Sequence, residues 1–392
     1  MVYCTEYTTL GFIFCFDFCA LLGSTARTCP VSTTTDRILL VHGHRPPRSD
    51  IRRLLEQRYR FRECSLADLP GRDWHEPLEI LIDAPLLTLD DAMSVRRALE
   101  GLPKDGPGVA FIIEELSRTQ IVRAHSLGGE GIVSRPVSPY ALYATVDTLL
   151  NRSRIRQWST SLGPAATGLA AGHEALERLF QFAEKGTRLT QRELFDRGDN
   201  VIDTLAETGL GKWVEAVKAH HSATFRHSLL VTGIAVGFGQ HLRMRHEDLR
   251  RLAIGGLVHD IGKAVIPVDI LEKPSALTPD EELIVREHTT LGRGILTRQG
   301  GFAPELVDVV AHHHEMLDGS GYPDGLAGDA IKDLVRIITI SDIFAALIEA
   351  RAYKLPLPNE EAYAYLQSRE GKLDMQLVKA FRPIAFETRL AA

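Results

Sequence analysis

A chain of 392 residues is long enough for two or three domains, and 24% charged with 44% hydrophobic residues is ordinary for a soluble globular protein. The formal net charge of -6 argues against a general nucleic-acid-binding surface, so no nucleic-acid polymer is expected as a partner, although a local basic pocket for a small phosphate ligand stays open. Cysteines at positions 4, 15, 19, 29 and 64 show no CxxC spacing, which removes zinc-ribbon and redox-motif readings and points to a reducing, cytoplasmic compartment.

Residues 1–35 carry the apolar run Gly11–Leu22, which Asp17 interrupts. It falls short of the about 20 apolar residues a spanning helix needs. A signal peptide would want a basic start, and no Lys or Arg precedes Arg27. The segment reads as a disordered tail or a start-site extension, with weak membrane association as a lesser alternative.

From Asp36 strands alternate with helices. Arg37–Val41, Leu78–Ile82, Val109–Ile113 and Gly131–Val133 read as strands. Ile51–Arg58, Asp90–Glu100 and Pro139–Leu150 read as helices, and the alternation suggests a parallel sheet over residues 36–150. Asp83 ends the second of these strands, and Arg135-Pro136 follows the last. On these residues the region resembles a receiver domain of two-component signalling, an α/β flavodoxin-like fold. The resemblance implies that Asp83 stands at the phospho-acceptor position, Arg135-Pro136 at the Lys-Pro position, and that signalling partners would bind this domain. Two departures weigh against phosphorylation. His42-Gly43-His44 stands where the family has its acidic magnesium-binding pair, and Glu114 where it has a hydroxyl residue. Without those acids no ion offsets the phosphoryl charge. Asp83 is therefore read as a strand-end carboxylate of a degenerate receiver, with phospho-acceptor as the alternative.

Residues 151–221 are helical in pattern, with Leu176, Leu179, Phe180 and Ala183 at helical spacing and Leu205, Leu210, Trp213 and Val217 further on. Gly163-Pro164 and Gly198 punctuate them. Such a stripe suits intra-chain packing, and a signalling connector or a dimerisation helix that would make a homodimer is the sharper alternative.

From 222 to 392 the chain reads as an all-α domain. Asp248–Leu257 places apolar residues on one face of a helix whose last turn delivers His259 and Asp260. Thr278-Pro279 with Asp280 and Glu281 is a helix start, and the helix it opens is expected to carry His288. Ten of the fifteen histidines fall between His220 and His314. Imidazole and carboxylate together suit a borderline transition metal, and a carboxylate beside a histidine can bridge two ions. Asp260 is the best bridging candidate. His227, in the apolar run Phe225–Val236, would come from another helix. His313 and His314 can converge on one ion if their helix ends there, and Asp342 follows the apolar run Val335–Ile340. Lys263, four residues after His259, could meet a phosphate. His220, His221, His241, His246 and His312 fit no ligand spacing.

The ordered motifs carry a further resemblance. They are His259-Asp260-Ile-Gly-Lys263, Leu271-Glu-Lys273-Pro274-Ser-Ala-Leu277-Thr278, and His313-His314-Glu315-x-x-Asp318-Gly319-x-Gly321-Tyr322-Pro323. The last is Asp342-x-x-x-Ala-Leu-x-x-x-Arg351-x-Tyr353-Lys354. Residues 222–366 resemble an HD-GYP domain, the branch of the HD phosphohydrolase superfamily that degrades cyclic di-GMP. The resemblance implies one metal held by His227, His259, Asp260 and Asp342, and a second held by Asp260, His288, His313 and His314. It implies Lys263, Arg351 and Lys354 on substrate phosphates and Gly321-Tyr322-Pro323 beside the pocket. Iron or manganese is typical of the family. The acids with which some members hold a third ion are here Ala223 and Ala345, so two divalent ions are expected.

The reaction so implied is metal-dependent hydrolysis of cyclic di-GMP to pGpG or GMP by a metal-bridging hydroxide, with Asp260 and Lys263 as catalytic groups. The competing readings are a catalytically weak cyclic di-GMP sensor and an HD phosphohydrolase for another nucleotide.

Overall fold

The computed structural model describes residues 37–43, 49–70, 79–103, 106–139, 141–143, 145–150, 153, 164–218, 223–271, 273, 276–349 and 355–387. The N-terminal segment 1–35, His44, Gly163, His220, His221, Arg351 and Lys354 lie outside them. No helix among the described residues is long and apolar enough to cross a membrane. The chain divides after Ser161 into two compact units.

Hydrophobic alternation builds the first unit. Leu39, Val41, Ile80, Ile82, Phe111 and Ile113 face one side of a sheet, and Ile38, Leu40, Leu81, Ala110 and Ile112 face the other, all fully buried or nearly so. Strands buried on both faces need cover on both, which parallel strands with crossover helices provide. Five strands result: β1 (Ile38–His42), β2 (Phe61–Ser65), β3 (Glu79–Asp83), β4 (Val109–Ile113) and β5 (Gly129–Ser134). All pair in parallel in the order β2-β1-β3-β4-β5, the doubly wound arrangement in which strand order reverses beside β1. Helix α1 (Ser49–Arg58) covers one face through Ile51 and Leu55; α2 (Leu89–Leu99) and α3 (Arg118–Ser126) cover the other through Val95, Ala98 and Ala124. The sequence reading passes over β2. Its residues, Phe-Arg-Glu-Cys-Ser, lie half exposed at the sheet edge and carry charges, so the apolar run that marks a central strand is missing.

In the second unit the described residues from Pro164 onward are helical, apart from short loops, 3₁₀ turns and a single isolated bridge between Asp318 and Ala327. Helices α4 (Pro164–Lys185), α5 (Gln191–Thr208) and α6 (Leu210–Lys218) lead into α7 (Ala223–His241) and α8 (His246–Val258). After these come α9 (Pro279–Arg286), α10 (His288–Gln299), α11 (Pro304–His312), α12 (Asp333–Ile348), α13 (Asn359–Gln367) and α14 (Met375–Glu387).

The helices expected as a connector are part of this unit's core. Leu176, Leu179, Leu205, Leu210, Trp213 and Val217 are buried. The Trp213 indole donates to the Leu229 carbonyl of α7 at 3.0 Å. Arg250 of α8 holds Asp199 of α5 by two bonds of 2.5 and 2.6 Å. Helix α5 runs through Gly198, because the hydrophobic stripe on either side outweighs one weak helix former. The boundary expected at 221 is therefore not a boundary between compact units. An amphipathic stripe by itself does not say which partner covers it.

Candidate metal centre

The ends of α8, α10 and α11 and the interiors of α7 and α12 deliver the proposed ligands. His259 caps the C-terminus of α8, and Asp260 opens the 3₁₀ turn Ile261–Val265 that carries Lys263. His313 caps α11 one residue after its last turn, leaving His314 in the following loop. His227 projects from α7, and Asp342 lies inside α12, flanked by the buried Ser341 and Ile343. The start at Thr278 is a full capping box with Pro279 at the first position, but that helix stops at Arg286 and His288 begins a new one. The break has a local cause: the His288 ring takes the Val285 carbonyl at 2.6 Å, in competition with helix continuation.

Two clusters of three, His227–His259–Asp342 and His288–His313–His314, each hold their donor atoms within 4.8 Å of one another. Asp260 stands between them and turns one oxygen to each side. Its Oδ2 lies 3.2 Å from His259 Nε2 and 3.9 Å from His227 Nε2. Its Oδ1 lies 3.3 Å from His288 Nε2 and 3.8 Å from His313 Nε2. Asp342 reaches both clusters as well, with Oδ1 2.8 Å from His227 Nε2 and Oδ2 3.9 Å from His314 Nδ1. His259 Nε2 and Asp260 Oδ1 are buried without a hydrogen-bond partner among the described residues. Buried polar atoms left in this state are costly unless an ion satisfies them. A donor set of imidazoles and shared carboxylates fits two divalent cations.

The outward nitrogens fix the rings. His259 Nδ1 lies 2.7 Å from the Gly256 carbonyl, and His313 Nδ1 3.1 Å from that of Val309. Such partners set the tautomer that leaves Nε2 free to ligate. Sequence reasoning missed Glu349, an acid in ion-pair range of the fourth ring, with Oε2 3.3 Å from His227 Nδ1. It stands at an unspecified position inside the Asp342–Lys354 motif quoted above, and only the one-turn-per-3.6-residue geometry of α12, two turns beyond Asp342, would have hinted at it.

Burial holds His288 down at about 4, aided by Lys263 and His259, and holds His314 down at about 3, aided by His288 and Lys263. It pushes His313 well below its ordinary value, with its histidine neighbours adding to the effect. Burial would also lower His227, but Asp342 and Glu349 override it and lift the ring to about 9. Asp260 resists the upward push of burial and sits well below the carboxylate range because of Lys263 and His259. Between pH ~6.5 and ~4 the unfolded chain therefore binds protons that folded His288, His313 and His314 refuse, so stability rises with pH there. His227 acts in the opposite window: its contribution is complete below ~6.5 and is lost as pH rises through about 9. Chelator-treated protein is expected to melt at a lower temperature at pH 5 than at pH 7. Equal melting temperatures in calorimetry would contradict this.

Lys263 Nζ lies 2.5 Å from Asp260 Oδ2, so its charge sits on the bridging carboxylate. Tyr322 stacks on His314 with ring centres 4.8 Å apart, and the Arg286 guanidinium lies over the same Tyr322 ring at 4.9 Å from its centre. Glu315 holds this loop by accepting the amides of Asp324 and Leu326 at 2.7 and 3.0 Å. Gly321 is required here, since a Cβ would come within 2.5 Å of the His314 carbonyl. His312 points away from the cluster to Asp324, at 3.0 Å, and His246 pairs with Asp199 at 3.1 Å.

In the first unit Asp83 ends β3, and Arg135 Nη2 lies 2.7 Å from its Oδ1. Glu114 is 3.7 Å from the same guanidinium. The side chains of Arg135 and Asp83 are only 8% and 13% exposed, so a fixed cation already occupies the carboxylate.

Residues 213–377 match the HD domain family. The chain is 30% identical over 322 residues to the cyclic di-GMP phosphodiesterase response regulator RpfG of Xanthomonas campestris, covering 78% of each protein. It is 38% identical over 160 residues to a cyclic di-GMP phosphodiesterase of Thermotoga maritima, covering 40% of this chain and 44% of that one. Against the 3'3'-cGAMP-specific phosphodiesterase 1 of Vibrio cholerae it is 39% identical over 164 residues, covering 41% and 38% respectively. With the HD match lying over the helices that carry the two clusters, and RpfG similar across most of both chains, this protein belongs to the HD-GYP phosphodiesterase family.

Proposed function

We propose that the protein is a metal-dependent phosphodiesterase that hydrolyses cyclic di-GMP, adding one water across a P–O3′ bond to give linear pGpG, with GMP after a second cut. The observation that carries this is Asp260, whose two oxygens face two separate His/Asp clusters. Two divalent ions held there would supply Lewis acidity toward a phosphoryl oxygen and lower the pKa of a bound water. His227, His259, Asp260 and Asp342 would hold one, and Asp260, His288, His313 and His314 the other. Iron and manganese both suit this nitrogen and oxygen donor set.

The chain's own groups do the rest. Asp260 keeps its negative charge at neutral pH and sets the spacing of the two sides. Lys263 brings a positive charge to the edge of the centre, where it would offset the equatorial charge of a phosphate in the transition state. Tyr322, in the loop that Glu315 clamps through the Asp324 amide, covers one face of the His314 ring. Arg351 and Lys354 are proposed as further phosphate contacts.

The first unit is read as receiver-like, on its strand order and the placement of Asp83 and Arg135 at the C-terminal ends of β3 and β5. The Arg135 pair argues that any control it exerts does not run through ordinary phosphorylation of Asp83.

The test is anaerobic purification with iron or manganese, metal analysis, and hydrolysis of cyclic di-GMP in competition with 3'3'-cGAMP. Close to two ions per chain and preferential conversion of cyclic di-GMP are expected. Three ions would overturn the two-metal reading. Preference for 3'3'-cGAMP would reassign the substrate, and binding without turnover would make the protein a sensor.

A further inference from the structure

Glu349 is an acid with no place in the reaction just described. It is 2% exposed and lies at the C-terminal cap of α12. Its Oε1 accepts from Arg226 Nε at 2.8 Å, and its Oε2 lies 3.3 Å from His227 Nδ1. The same imidazole presents its other nitrogen, Nε2, to Asp342 at 2.8 Å and to Asp260 at 3.9 Å. Glu349 therefore stands behind the ring, on the side away from the two shared carboxylates, and reaches the centre through His227.

His227 differs in this from three other histidines of the centre. His259, His288 and His313 rest their outward nitrogens on backbone carbonyls of Gly256, Val285 and Val309. A carbonyl orients a ring, whereas a carboxylate orients it and also adds negative charge, making the far nitrogen a stronger donor. The neighbouring Arg226, 16% exposed in its side chain, pairs with that carboxylate, so the two buried groups compensate each other's charge.

We infer that Glu349 is a positioning residue for His227, and that its charge makes the ion on the His227–His259–Asp342 side the more tightly bound of the two. This rests on the two-metal reading of the site.

The test is titration of metal-free, full-length protein with Co2+, following its visible absorption and calorimetric heat, in the wild type and in Glu349→Gln and Glu349→Ala. The wild type is expected to fill in two resolved steps. In both variants the tighter step should weaken about 10–100-fold while the weaker step is unchanged, with Ala more affected than Gln because Gln keeps a carbonyl dipole behind the ring. If removing the acid unfolds the chain by taking the carboxylate from beside Arg226, the double variant Arg226→Gln/Glu349→Gln removes both charges of that pair and gives the same reading. Two steps at wild-type affinity in the variants would overturn the inference, and so would equal weakening of both, which marks a general structural role. Because the readout is metal uptake, failure of the substrate reading shows separately, in the hydrolysis assay.

Discussion

Asp260→Ala is expected to lose metal and hydrolysis together. Asp260 reaches both clusters through different oxygens, at 3.2 Å from His259 and 3.3 Å from His288, so its removal takes a donor from each cluster at once. It also strips Lys263 of the partner now 2.5 Å away and leaves a cation facing several imidazoles. The loss of activity should exceed the about 10²–10³-fold cost of deleting one stabilising donor from an active site. Metal analysis and a cyclic di-GMP assay on the same preparation check this, with Asp260→Asn as the variant that preserves volume. Substantial turnover by either variant would sink the bridging assignment. Asp342→Ala should be less uniform: Asp342 sits 2.8 Å from His227 on one side but 3.9 Å from His314 on the other.

The second large effect is expected from a residue without a side chain. A Cβ on Gly262 would lie 1.9 Å from the His288 carbonyl oxygen and 2.7 Å from the Gly292 nitrogen. Both contacts are backbone, so nothing flexible can give way. Gly262→Ala must push the Ile261–Val265 turn and helix α10 apart, and those two elements carry Asp260 and His288, now 3.3 Å from each other. Overpacking of this kind costs about 1–3 kcal/mol or more. The variant should therefore melt earlier and lose the ion on the His288 side, with activity falling in step. Wild-type melting and two retained ions would show that the close approach is not what the glycine provides. Gly262 stands inside the His259–Lys263 motif, where its neighbours draw attention for their chemistry. Its own role appears only when α10 is placed against it.

The metal centre was legible in the sequence to the extent that its residues cluster in ordered motifs. His259-Asp260 and His313-His314 announce themselves by adjacency. His227, His288 and Asp342 are single residues of common types, and their placement beside the others depends on α7, α10 and α12 converging. Glu349 was not legible, because nothing in a linear pattern says which acid of a helix end turns back toward a histidine 122 positions earlier. His312 illustrates the converse. Adjacency to His313 makes it look like a ligand, and the turn after α11 sends it to Asp324 instead. The α/β unit shows the same division. Central strands β1, β3 and β4 are readable from apolar runs because both faces are buried, whereas β2 is an edge strand whose identity comes from pairing with β1.

Composition and order of residues by themselves determined the donor chemistry, the family and the presence of an α/β unit before an all-helical one. These follow from residue type and local periodicity, which a chain carries along its length. The tertiary structure alone decided which oxygen of Asp260 faces which cluster, that Glu349 backs His227, that Arg135 occupies Asp83, and that α4–α6 are core and not connector. Each of these is a contact between elements distant in sequence, set by how helices pack, and directional interactions of a few ångströms are decided only by that packing.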